Sequence, residues 1–310
     1  MKVEEIVPSA LDGERLDRIV ALIADISRSE ATKLIDAGGA EVDGAVSESG
    51  KVRLKEGQNV VVDLEKIPEA ELPGPDASVT LDVVYVDEDL IVINKSAGLV
   101  VHPAAGHGTG TVVNGILALF PEVASVGQPQ RPGIVHRLDA GTTGMMVVAR
   151  SQRAYDSLVE ALSDHEVGRE YLALSWGVFD SPSAVIDADI GRDPRDPLKM
   201  AVVRTGKWAR THVEVRQVFN QPADITLVQC TLETGRTHQI RVHLAAVGHA
   251  VLGDGMYGGA RAALVAPRPM LHAARLTLTH PGTGEEMSWE APLPEDMAAV
   301  LAACSWEEPV

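Results

Sequence analysis

The segment from residue 133 to residue 144, GIVHRLDAGTTG, sets a polar cluster between two apolar stretches. Ile134–Val135 precede the cluster and Met145–Ala149 follow it, so we predict two buried strands joined by a tight glycine-rich loop. Asp139 lies on this loop, two residues after Arg137. Loops held by rigid strands commonly carry chemistry, although an aspartate before Ala-Gly also serves as an ordinary turn residue.

Strand and helix patterns alternate along residues 79–300 without the regular rhythm of βαβ units. We therefore predict an α+β domain built on a mixed, largely antiparallel sheet, with residues 301–310 as a C-terminal tail. The predicted strands are Leu81–Val86, Leu90–Ile93, Glu170–Trp176 and Val228–Thr234, and helices are expected over Ser151–Leu162 and in the segment that follows Thr234. A glycine-rich loop at 106–110 precedes a further helix and lacks the Lys-Ser/Thr pair of a phosphate-binding loop.

Residues 12–65 are typical of a separate, small α+β domain. Leu16, Ile19, Val20 and Ile23 follow helical spacing. Ser27 and Glu30 form a capping box at the start of a second helix, which ends at Gly38-Gly39. Short strands are expected at Ala40–Val42, Val52–Leu54 and Val60–Leu64. The proline-containing stretch 66–78 then reads as a semi-rigid linker.

The charge of the chain argues against a nucleic-acid partner unless basic residues are clustered. Its 27 Lys and Arg against 44 Asp and Glu give a net charge of −17. The segment 192–216 is locally basic, which fits either a nucleic-acid track or a solvated surface. Its basic residues are Arg192, Arg195, Lys199, Arg204, Lys207, Arg210 and Arg216.

Cysteine and histidine usage favours a cytoplasmic protein without a metal. The two cysteines, Cys230 and Cys304, show no metal-ligand spacing. No histidine pair stands in a zinc-binding pattern with a carboxylate or cysteine. The acidic N-terminus is unlike a signal peptide, and no apolar run is long enough to span a bilayer, so we expect no membrane partner.

Three stretches together resemble the RluA/RluD-type pseudouridine synthases: residues 81–103, the segment His136-Arg137-Leu138-Asp139 with its glycine turn, and residues 234–259. The resemblance covers roughly residues 79–300. Ser96 and Ala250 stand where the family usually has proline, which affects local rigidity more than chemistry. The small domain, from its pattern RLDRIVALIADISRSEATKLIDAGGAEVDG, resembles the S4-type RNA-binding domain.

The resemblance implies isomerisation of uridine to pseudouridine in structured RNA. It implies that Asp139 is the carboxylate acting at the glycosidic bond, as a nucleophile or a base, and that Arg241 pairs with it. Tyr171 would stack on the flipped base, and Arg137 would fill the gap left in the RNA. Further RNA contacts are expected from His136, Arg236, His238, Arg28 and Lys33.

In the helix after Thr234, Ile240, Leu244 and Val247 predict the core face, whereas His238 and Arg241 share another face. A surface salt bridge is the other interpretation of Arg241. Because the reaction transfers no electrons and no external group, we expect no cofactor. We expect a monomer that acts on large-subunit (23S) ribosomal RNA.

Three other functions remain open at this stage. The first is the same chemistry on transfer RNA. The second is a non-catalytic RNA-binding or ribosome-assembly protein, against which the full set Arg137, Asp139, Tyr171 and Arg241 argues. The third is a hydrolase with two carboxylates. No second motif carboxylate stands out for that function, because Asp254, in Gly253-Asp254-Gly255, is interpreted as a turn residue.

Overall fold

The computed structural model describes residues 1–26, 28–66, 72–102, 109–196 and 198–307. The chain divides into two compact units, Met1–Glu71 and Leu72–Val310, each with its own apolar core.

The small unit packs two helices on a four-stranded antiparallel sheet of strand order β1-β4-β2-β3. Leu16, Ile19 and Val20 of α1 are buried together with Leu34 and Ile35 of α2, as their helical spacing predicts. The elements are β1 (Lys2–Ile6), α1 (Leu16–Ala24), α2 (Arg28–Asp36), β2 (Ala40–Val42), β3 (Ala45–Val46) and β4 (Asn59–Asp63).

Two features of the small unit differ from the sequence prediction. Residues 2–6 add a strand along β4, so the compact unit begins before residue 12. The strand expected at Val52–Leu54 is reduced to a single bridge between Arg15 and Arg53. The predicted capping serine, Ser27, lies outside the described residues.

The large unit is built on a nine-stranded sheet of order β11-β14-β15-β10-β16-β9-β6-β5, with β17 also paired to β16. Two short hairpins, β7–β8 and β12–β13, stand apart from it. Its first strands are β5 (Asp82–Val86), β6 (Leu90–Lys95), β7 (Gly127–Gln128), β8 (Arg131–Pro132), β9 (Thr143–Ala149) and β10 (Gly168–Trp176). The others are β11 (Ser183–Asp187), β12 (Ile190–Arg192), β13 (Met200–Val202), β14 (Arg210–Phe219), β15 (Ile225–Leu232), β16 (Leu271–Thr279) and β17 (Glu286–Glu290). The helices are α3 (Val112–Leu119), α4 (Gln152–Ser163), α5 (Gln239–Ala246) and α6 (Glu295–Ala302).

The core of the large unit forms around β6 and β9, whose apolar residues are buried on both faces. The apolar residues of α3 and α4 belong to the same core. Local signals set where these helices begin. Thr111 and Asn114 form a capping box at α3, and the Ser151 hydroxyl accepts a hydrogen bond from the Ala154 amide at 3.1 Å.

One parallel pairing joins the two halves of the sheet. Thr143 lies opposite His272 and Gly144 lies opposite Ala273, where β9 meets β16. Gly144 has a φ of 111°, and a Cβ atom there would lie 2.1 Å from the Ala273 carbonyl oxygen. This close approach requires glycine, and it directly follows the loop that carries Asp139.

The structure confirms the predicted fold class, the hairpin of β5 and β6, strands β9, β10 and β15, and helix α4. The strand predicted at Ile134–Val135 is wrong, because there Ile134 makes a single bridge to Val148. Val247 was assigned to the core face of α5 and is instead exposed.

The C-terminal segment, as far as residue 307, belongs to the large unit. Helix α6 extends to Ala302, and Ser305 bridges to Gln221, so residues 301–305, predicted as a tail, pack on the unit. Glycines 106 and 108 of the predicted loop lie outside the described residues. Across the described ranges, no helix is long and apolar enough to cross a membrane.

Candidate active site

A cavity of about 450 Å³ opens where the 134–139 loop, strand β10 and the start of helix α5 meet. Residues from all three motif stretches line it, among them His102, Asp139 and Arg241, and Tyr171 lines it as well. Its size is that of a small-molecule cleft. Residues far apart in sequence therefore converge on one space large enough for a nucleotide base.

At one wall, Arg241 joins two carboxylates. Its Nη1 donates a hydrogen bond to Oδ2 of Asp139 at 2.9 Å. Its Nε and Nη2 donate to the two carboxylate oxygens of Asp254 at 2.6 and 2.9 Å. Burial alone would lower the pKa of the Arg241 guanidinium, but the hydrogen bonds and charges of Asp254 and Asp139 raise it above its usual value. Arg241 is thus fixed as a permanent cation beside Asp139.

Asp254 is the residue that the sequence interpretation missed. It is fully buried, and its Oδ1 also accepts the backbone amides of Met256 and Tyr257 at 3.0 and 3.2 Å. It is a turn residue, as expected, and it also orients Arg241 through two parallel hydrogen bonds. Its place in the motif stretch 234–259 was the available signal, since a carboxylate between two glycines also fits an ordinary turn.

Two buried cations hold the backbone just after Asp139. Lys95, 1% exposed, donates from Nζ to the carbonyls of Ser96, Leu99 and Ala140 at 2.9, 2.9 and 3.2 Å. Arg268 donates to the Gly141 carbonyl at 3.0 Å and forms a two-point ion pair with Asp296. Burial lowers the pKa of Lys95 to about 8, although the charge of Asp139 opposes this. These contacts fix the direction in which the loop presents Asp139.

Tyr171 and Arg169 form a second part of the cavity wall. They lie two residues apart on β10 and both line the cavity. Each is 6% exposed. The β10–β16 pairing is irregular between Glu170 and Tyr171, and such irregularities redirect side chains. Burial raises the pKa of Tyr171 to about 12, with the charge of Arg169 opposing the rise and that of Asp139 adding to it.

Comparison with known proteins identifies the chain. A family model described as RNA pseudouridylate synthase matches residues 89–246, just over half of the sequence. The ribosomal large subunit pseudouridine synthase D of Pseudomonas aeruginosa is 44% identical over 309 residues, which cover 96% of this chain and 93% of the relative. The chain belongs to the RNA pseudouridine synthase family.

Other relatives of this synthase agree in sequence and in fold. The RNA pseudouridine synthase YlyB of Bacillus subtilis is 42% identical over 290 residues, covering 93% of each chain. The solved structure of human RNA pseudouridylate synthase domain containing 1 is 27% identical with a TM-score of 0.58. It covers 74% of this chain and 90% of that one. The sequence resemblance to pseudouridine synthases is thereby confirmed.

Two histidines of the synthase have ring nitrogens engaged within the fold. Nε2 of His136 accepts the Val147 backbone amide at 3.1 Å, and burial with the nearby charge of Arg169 lowers the pKa of His136 to about 3. Nδ1 of His238 lies 2.8 Å from the Tyr257 hydroxyl, and its Nε2 lies 3.9 Å from Oδ1 of Asp139. Burial lowers the pKa of His238 despite the charge of Asp139. Both rings line the cavity, where we expect them to be neutral at neutral pH.

The arginines predicted to contact RNA around the cavity lie at its mouth. Arg137 is exposed, with Nη1 3.4 Å from Nε2 of His102. Arg236 is partly exposed and donates to the Trp208 carbonyl at 2.9 Å. Both guanidinium groups are placed to meet a ligand entering from solvent.

Several other basic residues of the synthase form ion pairs with Asp or Glu side chains. In the small unit, Arg28 pairs with the buried Asp17 at 3.0 Å, whereas Lys33 is exposed. Within the described part of the segment 192–216, several cations have carboxylate partners, which reduces the local excess of positive charge. They include Lys199 with Asp196, Arg210 with Asp187 and Glu233, and Arg216 with Glu214. In the described residues, no group of His, Cys, Asp and Glu is arranged to hold a metal ion.

Proposed function

We propose that this synthase converts uridine to pseudouridine in large-subunit ribosomal RNA, with Asp139 as the catalytic carboxylate. The observation that carries the proposal is the 2.9 Å ion pair between Asp139 and Arg241 in a cavity also lined by Tyr171. The name of the Pseudomonas aeruginosa relative, similar over almost the whole chain, supports the choice of RNA.

The reaction assigns a task to each group. The N1–C1′ bond of the target uridine breaks, the uracil ring rotates, and a C5–C1′ bond forms with loss of the C5 proton. Asp139 acts on the sugar or on the base, and Arg241 orients the carboxylate through its hydrogen bond. Tyr171 packs against the flipped base, which contributes about 1–3 kcal/mol. Arg137, at the mouth, occupies the space that the base leaves in the RNA.

RNA must reach this cavity although the chain carries a net charge of −17. We propose that Arg236, at the cavity mouth, binds a phosphate locally. We also propose that the small unit is an S4-type RNA-binding domain in which Lys33 and Arg28 face RNA, with Arg28 oriented by Asp17. The synthase would then act as a monomer in the cytoplasm, with its RNA as the principal partner and no cofactor.

The decisive experiment maps pseudouridines in total RNA from cells lacking this protein and complemented with wild type or with Asp139→Asn. We expect one or more large-subunit sites to disappear in the absence of the protein and to return only with wild type. Tritium release from RNA carrying 5-tritiated uridine gives the matching rate in vitro. Restoration of the sites by Asp139→Asn would contradict the role of Asp139, and lost sites confined to transfer RNA would contradict the choice of substrate.

A further inference from the structure

Arg169 is a buried cation that has no carboxylate partner among the residues that the structure describes. Its side chain leaves strand β10 on the face that lines the cavity and is 6% exposed. Its Nη2 donates to the Glu233 carbonyl at 3.0 Å. Its Nε is buried without an acceptor, and among the described residues Nη1 also has no hydrogen-bond partner.

The other buried arginines of the same unit are held differently. Arg241 contacts two carboxylates and Arg268 contacts one. The carboxylate next in sequence to Arg169, Glu170, is directed away to Gln229 and Arg275. Burial accordingly lowers the pKa of Arg169. An uncompensated buried charge costs several kcal/mol, which is a cost that a fold can recover when an anion binds.

The surroundings of Arg169 leave space for its guanidinium at the cavity wall. A Cβ atom at position 235 would lie 2.7 Å from Nη1, so Gly235 provides the room that this group occupies. Tyr171 lies two residues along the same face, and the charges of both Arg169 and Asp139 affect its pKa. The three groups are therefore near one another. A base that packs on Tyr171 is therefore within reach of the guanidinium.

We propose that Arg169 binds the uracil ring while it is detached from the ribose, through its Nη1 edge. This inference rests on the proposed function. When the N1–C1′ bond breaks, the electron pair stays on N1 and the negative charge spreads over the two uracil carbonyl oxygens. The deficiency at C1′ is met by a bond to the Asp139 carboxylate or by loss of a C2′ proton to it. Arg169 donates a hydrogen bond and transfers no proton.

The depth of Arg169 favours the base over a phosphate. A flipped nucleotide enters a cavity base first, while its phosphates stay with the RNA backbone near solvent. The partly exposed Arg236 suits those phosphates. The almost fully buried Arg169 meets the uracil ring, whose charge develops during bond breaking and is therefore a target for preorganised stabilisation.

The test compares uridine with 5-fluorouridine at the target position of a large-subunit RNA transcript. Fluorine makes the uracil anion more stable, so its departure needs less help from the protein. Single-turnover rates are measured for wild type, Arg169→Met, Arg169→Lys and Arg275→Met by mass spectrometry of the digested RNA. Arg275 is the control for loss of an arginine outside the cavity, since it is exposed, pairs with Glu290 and Glu170, and does not line the cavity.

We expect Arg169→Met to slow bond breaking about 100-fold on uridine with unchanged RNA affinity, as for loss of one donor to a developing anion. On 5-fluorouridine the defect should shrink at least about tenfold. Arg169→Lys should recover part of the rate, and Arg275→Met should match wild type on both substrates. If Arg169→Met unfolds at the assay temperature, the rate losses of Arg169→Lys on uridine and on 5-fluorouridine are compared instead. We expect the loss on 5-fluorouridine to be the smaller one.

Equal defects on the two substrates would overturn the inference and leave the proposed function standing. A defect that appears as weaker RNA binding would also overturn it, since that marks a phosphate contact. Failure of wild type to form pseudouridine would instead overturn the proposed function, and the inference with it.

Discussion

The two walls of the cavity each contain a buried arginine, and the two arginines are held in opposite ways. Arg241 is bound on three nitrogens by Asp139 and Asp254. Arg169 has one backbone carbonyl, that of Glu233. Both side chains are arginines with nearly the same burial, so they differ mainly in their hydrogen-bond and ion-pair partners.

Arg241 therefore has its carboxylate partners before RNA binds, whereas Arg169 has none among the described residues. The part of the wall around Arg241, called the balanced wall below, has three cations (Arg241, Lys95 and Arg268) and three carboxylates (Asp139, Asp254 and Asp296). It therefore needs no ligand to stay ordered. The Arg169 wall retains a positive charge that only a ligand can neutralise. A cavity with both kinds of wall can fix its reacting carboxylate and still gain binding energy as charge develops on the substrate.

The largest effect is expected from Arg241→Met, which removes one of the three cations of the balanced wall. Asp139 and Asp254 would lose their shared partner, and breaking such a buried pair costs about 3–5 kcal/mol of stability. We expect turnover to fall at least about 1000-fold, measured by tritium release with thermal unfolding in parallel. An active variant would show that another cation serves Asp139, with Arg236 at the cavity mouth the first to test.

A smaller effect is expected from Asp254→Asn, which keeps the shape but removes one of the two charges on Arg241. Arg241 would be held less firmly, and we expect kcat to fall about 10- to 100-fold with little change in KM. Asp224→Asn, at an exposed turn, is the matched control. A change in KM alone would mean that Asp254 shapes RNA binding rather than the position of Arg241.

Lys95 tests the bracing of the balanced wall through the pH dependence of stability. Its pKa is about 8 in the folded state against 10.5 for the free side chain, so between these values the unfolded state binds more protons. The free energy of unfolding should therefore rise with pH in this window. We expect wild type to gain about 2 kcal/mol more than Lys95→Met between pH 7.5 and pH 10, measured by urea denaturation. Parallel curves for the two proteins would contradict the shifted pKa.

The smallest effect is expected from Tyr257→Phe. Its hydroxyl lies 2.8 Å from Nδ1 of His238 and accepts the Met200 amide at 3.0 Å. Loss of these contacts should cost about 1 kcal/mol of stability, with turnover within about threefold of wild type. Thermal unfolding and single-turnover rates measure both. A loss of activity as large as that of Asp254→Asn would contradict this prediction and show that the Tyr257–His238 contact is needed for turnover.

The balanced wall was partly predictable from sequence, and the other wall was not. Asp139 and Arg241 were predicted because each stands in a motif stretch that resembles the family, and the same resemblance pointed to Tyr171. Asp254 was interpreted as a turn residue because its local sequence fits a turn equally well. Among the described residues Arg169 lacks a carboxylate partner, and this depends on where the side chains of Glu170 and Glu233 point, which follows from strand register and tertiary packing. Such information is absent from a single sequence.

The fold showed the same limits. Strands β6 and β9 were predicted because runs of buried apolar residues are local signals. Ile134–Val135 carries a similar apolar signal, yet the pairing there shrinks to one bridge. Val247 continues the helical spacing of α5 but falls at the residue where the helix ends, so it is exposed.

The position of β16 in the sheet has a consequence for how the protein is made. Leu271–Thr279 is among the last strands in the sequence, yet it lies between β9 and β10 and joins the two halves of the sheet. During synthesis, the Asp139 loop and the Arg241 helix leave the ribosome well before the strand that unites the sheet around them. A nascent chain should therefore remain inactive until nearly all of it has emerged, so that a ribosome-bound fragment ending before residue 271 cannot modify the RNA of the ribosome that is making it.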